Sequence, residues 1–224
     1  MDIERFVAGL PALFEDFPAS PHPRGTRFDD VLQRTPNLAE ENVLALLNLA
    51  ASLLAPGESY VEVGSYYGAS LIGAMRGNDG DFVAIDRFEF GPLEVKGVQL
   101  PAASRAGLEE NLRRFGADGA TILEGDAFEV LEGGQLGDRR VGVYYFDGPH
   151  DYDSQNRGLR AVEPWLADEA LLVVDDHDWD DVTRATRDYL AAEPRAELLF
   201  DISGGDRGEP QWWDGVAVLG WRAG

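Results

Sequence analysis

Residues 59–70, SYVEVGSYYGAS, decide how the chain folds. An apolar run from Tyr60 to Val63 stops at Gly64, and a second glycine, Gly68, precedes a run of small residues. This reads as a strand, a tight turn and the opening of a helix, the first half of a β-α-β unit. Downstream the unit repeats. Strands are predicted at 59–64, 81–86, 119–124, 141–147, 169–175, 196–202 and 215–221, with helical patterns around 69–76, 102–115, 126–132, 154–166 and 179–192. Short apolar strands alternating with amphipathic helices predict an α/β fold. Its core is a Rossmann-like, seven-stranded, mostly parallel sheet with helices on both faces. The last connection, residues 203–214, lacks a helical pattern, which predicts an antiparallel last strand.

Upstream, residues 1–17 read as a short helix and PASPHPRGTR (18–27) as an extended linker. A further helix is predicted from about Pro36, with Val43, Leu46, Leu47, Ala50, Leu53 and Leu54 along one face. At 224 residues the chain suits a single domain, 1–224. Residues 36–224 would form its core, and 1–35 a lid, an oligomerisation arm or a flexible lead.

Composition narrows the function. There is no cysteine, which excludes disulfides, thiolate nucleophiles and cysteine-based zinc sites. The formal charge is −22, from 41 acids against 19 bases. Such a surface repels phosphate backbones and anionic lipid, so neither nucleic acid nor membrane is an expected partner, whereas cations are. The start, MDIERFVAGL, shows no secretory pattern, and the longest apolar stretch, NVLALLNLAASLLA, is too short to span a bilayer. A soluble cytoplasmic protein is expected, with self-association into a homo-oligomer left open.

In open parallel sheets, ligands sit beyond the carboxyl ends of the strands, near the point where strand order reverses. A dinucleotide fingerprint starting at Gly64 would need glycine at 66, where Tyr66 stands, so NAD and FAD are disfavoured. Glu62 instead offers a carboxylate to an ammonium group. The turn and helix start (Gly64, Ser65, Gly68, Ser70) can take a carboxylate. Asp86 ends the second strand, where an acid can bind ribose hydroxyls. In EGDAF, Asp126, Ala127 and Phe128 are placed to flank a base, although Asp126 reads equally well as a helix cap and Phe128 as core. Amino acid, ribose and base together describe S-adenosylmethionine.

A second cluster follows the next strands. VYYFDGPHDYDSQ (143–155) runs from an apolar strand into Asp147 and His150, and the neighbouring strand ends in Asp175 and Asp176. Three carboxylates brought together repel and raise one another's pKa values. A hard divalent cation resolves this, and an all-oxygen set with room for water or substrate suits Mg²⁺. Each aspartate taken alone also fits a strand end or a cap, as Asp178 or Asp180 would for the helix near Trp179. His150 is the candidate general base, with His177 second. Residues 87–102 are long enough for a lid, and Trp212 and Trp213 are placed either to stack on an acceptor or to pack on the sheet.

The motifs VEVGSYYGAS, AID, EGDAFEVL, YYFDGPHDYD and LLVVDD resemble those of class I S-adenosylmethionine-dependent methyltransferases. More narrowly, they resemble the metal-dependent sugar O-methyltransferases of macrocin and mycinamicin type, in antibiotic biosynthesis. That resemblance implies Mg²⁺ on Asp147, Asp175 and Asp176, His150 as base, and methyl transfer to a hydroxyl of a small-molecule acceptor, a natural-product sugar. Catechol-type methyltransferases share the metal arrangement but use a lysine where His150 stands. The rivals are therefore methylation of a phenolic acceptor and a non-catalytic cofactor-binding protein. Relatives often carry a glycine pair before the fifth strand, where this chain has Asp168 and Glu169.

Overall fold

The computed structural model describes residues 1–95, 97–204, 212 and 214–224, with Val98 described for its backbone only. Three helices open the chain: α1 (Ile3–Leu13), α2 (Asp29–Arg34) and α3 (Glu41–Ser52). Then come β1 (Glu58–Val63), α4 (Ala69–Met75), β2 (Asp81–Asp86) and a small hairpin of β3 (Leu93–Val95) and β4 (Val98–Leu100). They are followed by α5 (Arg105–Phe115), β5 (Thr121–Glu124), α6 (Ala127–Glu132), β6 (Arg140–Phe146) and α7 (Tyr152–Val162). The rest is β7 (Leu166–Asp175), α8 (Asp180–Ala192), β8 (Ala196–Ile202) and β9 (Val216–Arg222).

Seven strands form one sheet in the order β5-β2-β1-β6-β7-β9-β8. The pairs among β5, β2, β1, β6 and β7 are parallel, and β9 runs antiparallel between β7 and β8. This is the Rossmann-like sheet expected from the sequence. The pleat sorts side chains by parity. Tyr60, Phe82, Tyr145 and Val173 face the layer of α1 to α5, while Val61, Val83, Tyr144 and Val174 face α6 to α8. Strand order reverses between β1 and β6, so the crevice opens at their carboxyl ends.

Several boundaries differ from the sequence reading, each for a local reason. The helix expected from Pro36 starts at Glu41, because Asn37 turns the preceding backbone. Its amide donates to the carbonyls of Leu32 (2.9 Å) and Thr35 (2.6 Å), and its Oδ1 accepts from Ala39 N–H (3.2 Å). After the linker stretch comes an unforeseen helix, α2, which buries Val31 and pairs Asp30 with Arg76. β7 begins at Leu166, ahead of the expected 169, with Asp168 and Glu169 held outward by Arg140 (2.7 Å) and Arg222 (3.3 Å). Residues 87–102 contain the β3–β4 hairpin.

The N-terminal segment packs on the body. Ile3, Phe6, Leu10 and Phe14 lie in the main core, and Trp212 Nε1 donates to Pro18 O at 2.9 Å. Trp212 is 1% exposed and touches Phe14 and Phe17, so it packs rather than stacks on an acceptor. Trp213 lies outside the described residues.

At the centre, Gly64 has φ +88, and a Cβ there would stand 1.8 Å from the carbonyl oxygen of Asp147. Only glycine lets the loops after β1 and β6 touch. Gly64→Ala is expected to destabilise the fold by at least about 2 kcal/mol, combining left-handed strain with a backbone clash. The check is a lower urea midpoint with an unchanged m value. An unshifted midpoint would mean that the two loops are not in contact.

Candidate active site

The crevice has two halves, on either side of Gly64. In the first, β1 carries Glu62 inward on the same face as Tyr60, and it is 1% exposed. Its carboxylate accepts from Tyr60 Oη (2.9 Å) and Ser70 Oγ (3.2 Å). Burial raises its pKa to about 7 against those hydroxyl donors. Ser65 is buried in the turn, with its hydroxyl beside the Glu62 carboxylate and opposing the rise in its pKa. Gly68, at φ +85, lies so close to Leu108 that a Cβ would come within 2.4 Å of its Cδ1. A buried carboxylate beside serine hydroxyls in a glycine cradle fits the ammonium and carboxylate of an amino-acid moiety.

Asp86 stands next along the crevice, at the end of β2. Its two oxygens accept from the backbone N–H groups of Tyr66 and Phe88, both at 2.7 Å. Those bonds fix the carboxylate and leave each oxygen a lone pair for a ribose hydroxyl. The residues that donate them, Tyr66 (φ 48) and Phe88 (φ 53), are left-handed. Tyr66 Oη donates to Pro101 O, and Tyr67 Oη to Ala102 O at 3.1 Å, so the expected lid segment is tied to the glycine turn.

Asp126 resolves as a helix cap: its Oδ1 accepts from Phe128 N–H (2.9 Å) and Glu129 N–H (3.2 Å) at the start of α6. Phe128 is buried, with the Arg157 guanidinium 4.4 Å from its ring centre, and Ala127 packs partly buried beside it. The cap bonds occupy Asp126 Oδ1, and Oδ2 faces Arg87 at 3.5 Å.

The second half gathers Asp147, His150 and Asp176, whose ligand atoms all lie within 4.8 Å of one another. His150 Nε2 is 2.7 Å from Asp176 Oδ2 and 3.9 Å from Asp147 Oδ1. Burial disfavours the charged ring, but the two carboxylates outweigh it and lift its pKa to about 10. Burial raises the pKa of Asp147, and Asp176 adds to the rise while His150 opposes it.

The sequence expected Asp147, Asp175 and Asp176 to form the trio. The structure puts His150 in the place of Asp175. Strand parity is the reason: Asp175 continues the face of Val173 and turns its carboxylate onto Tyr145 Oη, 2.8 Å away. Burial, then the charges of Asp147 and Asp176, push its pKa well up. Asp176 leaves the strand with φ 51, which swings its side chain into the crevice. His150 is likewise not the unencumbered base expected, since its ring nitrogen is turned onto the acids. His177, the second choice, is buried elsewhere, with Nδ1 2.9 Å from Asp201.

One neighbour was missed. Trp179 is half exposed and lies against His150, ring centres 4.9 Å apart. A large aromatic inside the acidic run DDHDWDD was the available signal.

Fold and strand order together define a Rossmann-like α/β protein whose sheet reverses its order between β1 and β6. A family model described as a methyltransferase domain matches residues 61–177, from β1 through both halves of the crevice, and the chain belongs to that family. No curated protein matches it. Among solved structures, an O-methyltransferase from Bacillus cereus in complex with SAH is similar at TM-score 0.61 and 14% identity, covering 99% of this chain and 100% of the other. The O-methyltransferase TomG from Streptomyces achromogenes, involved in tomaymycin synthesis and solved with SAM, gives 0.63 and 19%, covering 100% of both chains. CalS11, a TDP-rhamnose 3′-O-methyltransferase of calicheamicin biosynthesis, gives 0.58 and 20%, covering 99% of this chain and 94% of the other. At these identities the likeness is one of fold. No helix among the described residues is long and apolar enough to cross a membrane.

Because Asp126 caps α6, Asp126→Ala is expected to cost about 1 kcal/mol of stability, and Asp126→Ser to recover most of it. Urea titration of both variants measures this. Equal losses in the two would mean that the cap is not what Asp126 contributes.

Proposed function

We propose that the chain is an S-adenosylmethionine-dependent O-methyltransferase that uses a divalent cation, Mg²⁺ in the simplest case, to methylate a hydroxyl of a small-molecule acceptor. The observation that carries this is the meeting, across Gly64, of a buried amino-acid cradle with a cluster of metal-ligand type. Glu62 would bind the cofactor's ammonium group, Ser65 and the turn around Gly64 and Gly68 its carboxylate, and Asp86 its ribose. Asp147 and Asp176 would hold the cation, with Asp175 and Tyr145 bracing them from the neighbouring face.

Bound there, a divalent cation would lower the pKa of an acceptor hydroxyl. The acceptor hydroxyl gives up its proton to solvent and its oxygen attacks the sulfonium methyl in line: the O–CH₃ bond forms, the S–CH₃ bond breaks, and that electron pair returns to sulfur as S-adenosylhomocysteine. Opposite charges cancel on the way, so holding the partners close in a crevice shielded from water favours the step.

The acceptor is read as a sugar of a natural-product glycoside. The D-G-x-H-x-Y motif at 147–152 and the acidic pair 175–176 support this, as does Trp179, a half-exposed indole beside the cluster that suits the C–H face of a sugar ring. A flat phenolic acceptor is the second reading that the same indole favours, and paired substrate panels separate the two.

Asp147→Ala, or chelation with EDTA, is expected to lower kcat/KM by about 100-fold or more, since a cation at the reacting oxygen contributes several kcal/mol. Full activity after either treatment would remove the cation from the mechanism.

Cofactor binding should also titrate with Glu62. Its free carboxyl has a pKa of about 7, and an ammonium partner favours the ionised form. Affinity should therefore climb by up to about tenfold per pH unit below 7 and level off above it. Calorimetry with S-adenosylhomocysteine between pH 5.5 and 7.5 reads this directly, and a flat profile would exclude Glu62 as the ammonium partner.

A further inference from the structure

We propose that His150 is a metal ligand, completing a two-carboxylate, one-imidazole set with Asp147 and Asp176. That set selects a first-row transition cation such as Mn²⁺ or Co²⁺ over Mg²⁺. The inference rests on the cation-assisted reading above and deepens it.

The donor set is the first ground. Ligands bonded at about 2.1 Å to one ion lie at most about 4.3 Å apart. The ligand atoms of Asp147, His150 and Asp176 already lie within 4.8 Å of one another, so small side-chain rotations bring all three onto one ion. Asp175, the remaining acid, is held by Tyr145 Oη at 2.8 Å. The nearest complete set among the described residues therefore contains nitrogen.

The pose of the ring is the second ground. Nε2 is buried between the two acids, 2.7 Å from Asp176 Oδ2 and 3.9 Å from Asp147 Oδ1. A nitrogen ion-paired with two carboxylates stands where a shared ion would take all three as ligands once the ring gives up its proton. A general base would instead turn its lone pair toward the acceptor. The ring is fixed in this pose from two sides. Trp179 packs against it, and the Gly148 turn that delivers it is so tight that a Cβ there would stand 2.7 Å from the Phe146 ring.

The metal preference follows from the ligands. Imidazole suits the later first-row ions, whereas Mg²⁺ favours oxygen donors and retained water. Mn²⁺ accepts both donor types, which makes it the natural probe.

The test uses the whole chain saturated with S-adenosylhomocysteine. Calorimetry is expected to show Mn²⁺ or Co²⁺ binding at least about tenfold tighter than Mg²⁺. Electron spin echo modulation of the Mn²⁺-loaded protein should show coupling to a directly bound ¹⁴N. His150→Ala and His150→Gln should both abolish that coupling and the Mn²⁺ preference while leaving S-adenosylhomocysteine affinity unchanged, which checks that the variants fold. Mn²⁺ binding without ¹⁴N coupling, or coupling that survives in both variants, would overturn the inference and leave the cation-assisted reading standing. Mg²⁺ binding as tightly as Mn²⁺ would refute the selectivity. Failure of every divalent ion to bind would sink both readings together.

Discussion

The structure depends on one close approach, that of the Gly64 backbone to the carbonyl of Asp147. It joins the loops after β1 and β6, the two strands between which the sheet reverses its order. Everything that can touch a ligand hangs from that joint. Glu62 and Ser65 lie on one side, and Asp147 begins the turn that carries His150 on the other. A side chain at residue 64 would wedge the halves apart and separate the place where an amino acid can bind from the place where carboxylates converge. Backbone geometry, more than any single charged group, sets the distance across the site.

The polar groups then divide by depth. Glu62 is enclosed, bonded to hydroxyls and opposed by the charge of Asp147, so its own charge is costly until a cation arrives. Asp147 and Asp176 have His150 as an internal counter-charge. Both arrangements are poised for a positively charged visitor, which agrees with a chain carrying a strong acidic excess.

Most of the fold was legible because parallel strands buried on both faces leave short, uninterrupted apolar runs, and all seven were visible as such. The β3–β4 hairpin was not, since three-residue strands carry too little pattern to read. Glu62, Gly64 and Asp147 could be put at the carboxyl ends of β1 and β6 because strand ends in this architecture face one way. The membership of the acid cluster was not legible. Sequence puts Asp175 and Asp176 at the same strand end, but the pleat and one left-handed residue decide which of them looks into the crevice. Asp126 was balanced between two roles, and the structure shows the capping one, through bonds to two backbone N–H groups.

The ring cluster of Phe14, Phe17, Phe200 and Trp212 has a consequence for how the molecule comes apart. It clasps the first segment of the chain to β8 and to the residue leading into β9. The two extremities of the polypeptide therefore share one cooperative unit and should open together, ahead of the parallel centre. A nick in the leading segment would loosen the sheet's far edge, and the indole of Trp212, dry only while that clasp holds, would report the event by its fluorescence.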